Sequence, residues 1–351
     1  MERNASMRYG ALSRHFLASH VNPPASKQVL DRLAESLTLP SVNGAADKLI
    51  GRGQSPAKSG PGREMLWAYR TCTEIIRKHS RSFYFSARLL PHAKRHGIMA
   101  LYAFCRTSDD LVDAADGMPN RESARDNARA ALDRWAVLAG NCCASDSHPV
   151  AAAWADTRLR FGIPSHLAEE LLSGIRMDLT IDRYETWDDL WVYCYRVAST
   201  VGLMSMYVTG AERMEAVPYA VQLGVALQLT NILRDIGEDA RAGRVYIPAE
   251  DMKRFGYTDE MLFAGVNNRN FRRLVEFQIE RAHALYDAAM PGIALLPRDS
   301  RMAVTAAATV YRGILDKIRG AGYDVFTRRA HVSMGEKLCA LPGIWWATRW
   351  G

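Results

Sequence analysis

Two stretches of this chain carry acids, amides and bases at helical spacing. Gln228, Asn231, Asp235 and Asp239 follow one another at steps of three, four and four residues, and Tyr102, Arg106, Asp109 and Asp113 at steps of four, three and four. Such steps return to one face of an α-helix, so each stretch presents a polar stripe that contains a D-x-x-x-D pair one turn apart. The remainder of each stretch is apolar. Leu227, Leu229, Ile232, Leu233 and Ile236 surround the later stripe, and Ile98, Met99, Leu101, Phe104, Leu111 and Val112 surround the earlier one. A surface helix turns its carboxylates to water and its apolar side inward. Here so many faces are apolar that the acidic stripes are expected to line an interior cleft. Buried carboxylates need a compensating charge. If the two helices face each other, four carboxylates converge on hard-cation chemistry, in which oxygen ligands hold Mg²⁺ together with the phosphates of a substrate.

The bases and aromatics around these pairs extend that chemistry. Arg106, Arg234 and Arg244 could form surface salt bridges, but beside a carboxylate–metal cluster a planar guanidinium suits a diphosphate. Arg234 lies one residue off the acidic stripe. Tyr102, Tyr193 and Tyr246 read singly as packed aromatics. In a cleft where charge separates, a phenol donates to phosphate and its ring face stabilises a cation. Trp345 and Trp346, with Arg349 and Trp350, suit a packed C-terminal plug and a membrane interface equally. No H-E-x-x-H, Walker A or G-x-S-x-G run is present. Gly51-Arg52-Gly53 lies in a linker-like stretch, so nothing points to NAD(P)H.

The elements that must position these residues are helical almost throughout from Arg63 onward. The pattern predicts helices over Met65–His79, Phe83–Leu90 (stopped by Pro91), the first acidic stretch to about Gly117, and Arg121–Leu138. It continues with Pro149–Phe161, Ser165–Leu179, a long apolar helix Trp187–Val208, the second acidic helix Pro218–Asp239, then Phe271–Met290 and Ser300–Arg319. No alternating run of useful length occurs, so the fold class is all-α. Residues 1–62 are rich in Pro, Gly and Ser, with only Val29–Leu37 helical in pattern, and read as a flexible N-terminal extension. Residues 63–345 form the functional domain and 346–351 a C-terminal tail.

The chain has 351 residues, 48% hydrophobic and 24% charged, which fits a folded protein with a sizeable core. No window holds eighteen uncharged apolar residues, and the N-terminus lacks a secretory pattern, so Asn4-Ala5-Ser6 is discounted as a glycosylation acceptor. The six cysteines, Cys72, Cys105, Cys142, Cys143, Cys194 and Cys339, form no C-x-x-C pair and read as reduced, packed thiols of a cytoplasmic protein. A net charge of +7 admits anionic partners. The bases are scattered and no nucleic-acid signature is present, so nucleic acid is not expected.

The segments HSRSFYFSARLLP (79–91), ALYAFCRTSDDLVD (100–113), GIRMDLTIDRYETWDDLWVYCYRVASTVGLM (174–204), QLTNILRDIGEDARAGRVYIP (228–248) and ILDKIRGAGYDVFTRRAHVS (314–333) resemble the squalene/phytoene synthase family of head-to-head prenyl transferases. The likeness spans roughly 66–343. It implies an isoprenoid-synthase-type helical bundle with a central cavity. Asp109, Asp113, Asp235 and Asp239 would hold Mg²⁺ (or Mn²⁺) and diphosphate, with Asn231 assisting. Tyr102, Arg106, Gln228, Arg234 and Tyr246 would contact diphosphate, Ser80 and Arg329 would add further substrate contacts, and Tyr193 would sit near the cation. Ser199 stands where many relatives have glycine, and is expected to trim the cavity beside Tyr193. The implied reaction joins two geranylgeranyl diphosphates through prephytoene diphosphate to phytoene without NADPH, with peripheral membrane contact for so apolar a product. The alternatives are squalene or dehydrosqualene formation from farnesyl diphosphate, and a non-catalytic assembly factor of the same fold.

Overall fold

The second acidic stripe lies on the longest helix, Val217–Arg241, and the other elements are arranged around it. In the computed structural model, which describes residues 21–37, 39, 62–115, 118, 120–141 and 148–350, the helices in chain order are α1 (Pro24–Ser36), α2 (Leu66–His79), α3 (Arg81–Ala87), α4 (His92–Asp113), α5 (Arg121–Gly140), α6 (Pro149–Phe161), α7 (Ser165–Met177), α8 (Trp187–Cys194), α9 (Thr200–Thr209), α10 (Val217–Arg241), α11 (Ala249–Arg254), α12 (Asp259–Phe263), α13 (Arg269–Ala289), α14 (Arg298–Gly320) and α15 (Met334–Trp350). Among the described residues there is no strand, only one isolated bridge between Arg183 and Val245. The all-α expectation holds.

Local chemistry sets the helix ends. Ser80, Asn120, Thr186 and Asn268 accept backbone N–H groups at the N-termini of α3, α5, α8 and α13, and Thr186 with Asp189 completes a capping box. Gly162 and Gly210 close α6 and α9 in the left-handed conformation. α10 packs against α9, α13 and α14, and α4 against α2, α6 and α5, over one large apolar core with a small second cluster at Ile76, Ala87 and Met99. A window within Met214–Arg241 is long and apolar enough to cross a membrane by composition, but 56% of it is buried inside the bundle, as the core position of α10 requires.

Four expectations need correction. The long helix over Trp187–Val208 is interrupted by a π-turn at Tyr195–Ser199 between α8 and α9. There Ser199 Oγ donates to the Val221 carbonyl at 2.7 Å, so Ser199 faces α10 and does not trim the cavity. A flexible extension over 1–62 fails for residues 21–37. α1 begins at Pro24, buries Ala25, Val29 and Leu33, and donates its Ala25 N–H to Asp188 of α8. The rest of that segment, Asn4, Cys142 and Cys143 lie outside the described residues. The boundary at 345/346 falls inside α15, which continues to Trp350, so residues 346–350 are helical. Cys72, Cys105, Cys194 and Cys339 are free thiols.

Close backbone approach, rather than side-chain bulk, sets α10 in place. A Cβ at Gly224 would lie 2.4 Å from Cα of Ser199 in the π-turn, and one at Gly237 would lie 2.6 Å from the Val325 carbonyl oxygen in the loop after α14. A buried ion pair braces the opposite side: Arg281 of α13 donates to Asp251 at 2.7 Å and lies 4.4 Å from the Trp187 ring. Glu250 accepts the Trp187 N–H at 2.7 Å. These contacts fix the segment 178–187 against 243–250. Gly224→Ala is expected to destabilise the protein by about 1–3 kcal/mol by overpacking the crossing. A thermal melt indistinguishable from the parent would contradict that close approach.

Candidate active site

A cavity of about 1070 Å³ opens between α3, α4, the π-turn and α9, α10, α14 and the segment 329–337. Its lining changes character along α10. Tyr219, Ala220, Leu223 and Leu227 are followed by Gln228, Asn231 and Arg234, and α4 repeats the sequence from Ile98 and Leu101 to Tyr102, Arg106 and Asp109. The sixteen residues of helix from Tyr219 to Arg234 span roughly 22 Å. A long apolar chain with a polyanionic head matches that gradient.

Of the residues singled out by sequence, Ser80, Tyr102, Arg106, Asp109, Gln228, Asn231, Arg234 and Arg329 line this cavity. Asp113, Asp235, Asp239, Tyr193 and Tyr246 are not part of its lining. Tyr193 and Tyr246 are buried behind the wall, with ring centroids 5.2 Å apart, and their hydroxyls donate to Asp178 at 3.0 and 2.8 Å. The expectation of Tyr193 as a cavity tyrosine is therefore corrected: its hydroxyl is engaged by a carboxylate.

The acidic residues divide into paired and strained carboxylates. Arg106 pairs with Asp110 and, at 3.3 Å, with Asp113. Arg234 grips Asp235 at 2.9 and 2.5 Å, and Arg329 does so at 2.9 and 3.0 Å. Asp109 is pushed up to about 8 by burial and then by Asp113, against the pull of Arg106. Asp239 is pushed up to about 8 by burial and then by Asp235, against Arg244. Asp178 adds to both shifts, so both pairs lie within its electrostatic reach.

The expected four-carboxylate cluster is not formed. Among the described residues no three acidic, imidazole or thiol side chains stand close enough to hold an ion by themselves. Repulsion between like charges explains it, each pair having taken guanidinium partners instead. The donor set nevertheless fits a hard divalent ion. All donors are oxygens, and the Asn231 Oδ1 atom is buried without a hydrogen-bond partner. Asp109 and Asp239 also sit in fields that penalise their charged forms. Mg²⁺ ordinarily takes one or two carboxylates and completes its shell with water and substrate phosphate.

Sequence reasoning missed three groups. Tyr311 lines the cavity, shares side-chain hydrogen bonds with Ser80 and Arg234, and packs on Phe83 with centroids 4.7 Å apart. Its position within an apolar helix carries no chemical signal. Lys337 is 4% exposed yet lines the cavity, and α15 has no one-sided apolar pattern that would mark it as inward. Asp178 lies in a segment already quoted for its likeness, but no spacing pattern distinguishes it.

The model of the squalene/phytoene synthase family matches residues 76–336. The chain belongs to this family. It is 40% identical over 287 residues to a 15-cis-phytoene synthase of Synechococcus elongatus, covering 78% of this chain and 91% of that protein. It is 41% identical to a phytoene synthase of Arthrospira platensis, with the same coverage of each chain. Among solved structures, a dehydrosqualene synthase in complex with ligand superposes with a TM-score of 0.72 at 34% identity, covering 80% of this chain and 96% of that one. A squalene synthase from Alicyclobacillus acidocaldarius gives 0.65 at 27%, covering 76% and 99%. The family consists of isoprenoid synthases that use prenyl diphosphates and are generally metal-dependent, so the substrate is a prenyl diphosphate.

The shifts of Asp109 and Asp239 have a consequence for stability. A carboxylate whose folded pKa lies above its unfolded value binds more protons in the native state. Its contribution is therefore complete below about pH 4 and is lost as pH rises through about 8. In the presence of chelator, Asp109→Asn is expected to melt higher than the parent at pH 8.5 and to lose this advantage at pH 5. A melting difference that is the same at both pH values would contradict the raised pKa.

Proposed function

We propose that this protein is a 15-cis-phytoene synthase, joining two geranylgeranyl diphosphates head to head. One observation carries the reading: the cavity runs from an apolar lining to a guanidinium, amide and carboxylate lining, in a chain 40% identical to a 15-cis-phytoene synthase along 91% of that protein. Asp109 and Asp113, and Asp235 and Asp239 with Asn231, would hold Mg²⁺ (or Mn²⁺), which neutralises diphosphate charge and so favours its departure. Arg106, Arg234 and Arg329 bind diphosphate oxygens and exchange their present carboxylate partners for them, with Tyr102, Ser80 and Gln228 adding contacts, while Tyr246 keeps its hydroxyl on Asp178. Breaking the first C1–O bond leaves an allylic cation and releases diphosphate. The double bond of the second molecule attacks it, and proton loss closes a cyclopropane. Departure of the second diphosphate starts a rearrangement that ends in loss of another proton. No hydride is consumed, so no NADPH is required. The Tyr193 ring, held behind the wall, acts on the developing cation through the electron density it shares with Tyr246 rather than by contact, and the apolar wall keeps out water that would quench it.

We also place the protein in the cytoplasm at a membrane surface. α15 turns Leu338, Trp345 and Trp346 outward, with Trp346 65% exposed, while Lys337 of the same helix points inward. The Arg349 guanidinium lies 5.1 Å from the Trp345 ring. An outward face of this composition suits the headgroup region, and α15 also lines the cavity from which an apolar product leaves.

Purified protein with Mg²⁺ and geranylgeranyl diphosphate is expected to yield a forty-carbon hydrocarbon without NADPH. A thirty-carbon product from farnesyl diphosphate alone would move the assignment to dehydrosqualene or squalene formation, and no product from folded protein would leave a non-catalytic assembly factor. Asp113→Ala and Asp235→Ala should each lower kcat by at least about 10²-fold; near-parental turnover in either would remove the metal assignment. Flotation with anionic liposomes should weaken in Trp346→Ser, and unchanged flotation would exclude α15 as the contact.

A further inference from the structure

The carboxylate of Asp178 lies outside the two acidic pairs, yet it joins three separate segments. It follows the last residue of α7 as its C-cap. Its Oδ2 accepts the Tyr193 hydroxyl of α8 at 3.0 Å, and its Oδ1 accepts the Tyr246 hydroxyl of the loop after α10 at 2.8 Å. The two hydroxyls are 3.5 Å apart. Tyr184 closes an aromatic triangle, its ring centroid 5.4 Å from that of Tyr193 and 5.8 Å from that of Tyr246. Tyr184, Tyr193 and Tyr246 are all buried. The Asp178 charge reaches Asp109 of one acidic helix and Asp239 of the other.

We infer that Asp178 is a positioning residue of the proposed reaction, holding the phenols of Tyr193 and Tyr246 as one hydrogen-bonded, electron-rich pair between the two acidic helices. This rests on the prenyl-coupling reading above. Two phenols that both donate require a partner that only accepts. A carboxylate provides two acceptor oxygens and no donor, whereas an amide of the same size replaces one acceptor with an N–H₂ group. A phenol that donates to a carboxylate is polarised, so its oxygen and ring hold more electron density and interact more favourably with nearby positive charge. Accepting from Tyr193 and Tyr246 and facing Arg244 favour the charged form of Asp178, while burial disfavours it most strongly and raises it to about 6. Fixing the two phenols also ties the end of α7 to α8 and to the loop after α10, so a change at Asp178 is transmitted to both rings together.

The experiment compares Asp178→Asn with the parent in three measurements. Mg²⁺-dependent binding of an unreactive geranylgeranyl diphosphate analogue is expected to stay within about threefold, while kcat falls about 10²-fold, the cost of a small misplacement at a reacting centre. In a Tyr193→Phe/Tyr246→Phe background the same change at Asp178 should cost less than about threefold more, because residues acting through one another are not additive. Asp178→Glu, which keeps both acceptors, should recover part of the lost kcat. A kcat within threefold of the parent, or the full loss repeated in the double-Phe background, overturns the inference. Should Asp178→Asn fail to fold, the parent protein decides: its crystal structure with analogue and Mg²⁺ is expected to keep both hydroxyls on Asp178, and a phenol that has left the carboxylate overturns the inference. Failure of the parent to make any hydrocarbon would instead count against the proposed function, and is read from the parent alone.

Discussion

Placing carboxylates inside an apolar helical bundle is the constraint on which this structure depends. A charged group taken from water costs several kcal/mol unless it is paired, and the two acidic helices bring several such groups together. The protein meets that cost in two ways. Asp113 and Asp235 are matched by guanidinium groups from Arg106, Arg234 and Arg329. Asp109 and Asp239 are left in fields that favour protonation. The site therefore carries an unmet demand for positive charge beside arginines whose partners are exchangeable. That combination is what a metal-bound diphosphate satisfies.

Keeping such a site together requires stiffness elsewhere. α10 carries the second acidic pair and is located by backbone contacts at Gly224 and Gly237, where a side chain of any size would intrude. The Gly237 contact also seats the loop after α14, which delivers Arg329 to Asp235. On the far side, the buried Arg281–Asp251 pair, supported by Gln278 and the Trp187 ring, holds α11 and α13 against the start of α8. Breaking a buried pair of this kind leaves an uncompensated charge, so these residues fix geometry even though they touch no substrate.

The cavity and the family resemblance answer different questions. Homology identifies a prenyl diphosphate as the kind of molecule bound, and the lining explains how one chain can recognise both of its ends. Apolar residues on α10 and α4 give way to polar ones within the same helices, so a single helical register orients the substrate. Solved relatives named dehydrosqualene synthase and squalene synthase share the bundle at 34% and 27% identity, so the bundle is common to synthases with different names.

The sequence alone determined the all-α class, the position of both acidic helices and eight of the residues that line the cavity, because helical periodicity is local and a D-x-x-x-D pair within apolar sequence is a strong chemical signal. It also carried the family, through ordered motifs spread along the chain. Other features depended on contacts between distant segments. The π-turn at Tyr195–Ser199 arises where that segment crosses Gly224, twenty-five residues beyond Ser199. Ser199 faces the neighbouring helix for the same reason. The helical pattern at Val29–Leu37 is legible, but that α1 starts at Pro24 and packs on α8 is not, and Tyr193, which the resemblance puts in the cavity, lies behind the wall with its hydroxyl on Asp178. Asp178, Tyr311 and Lys337 escaped notice because none belongs to a repeating local pattern. Their roles come from which side chains the bundle brings within hydrogen-bonding distance or to the cavity wall, and only packing between helices decides that.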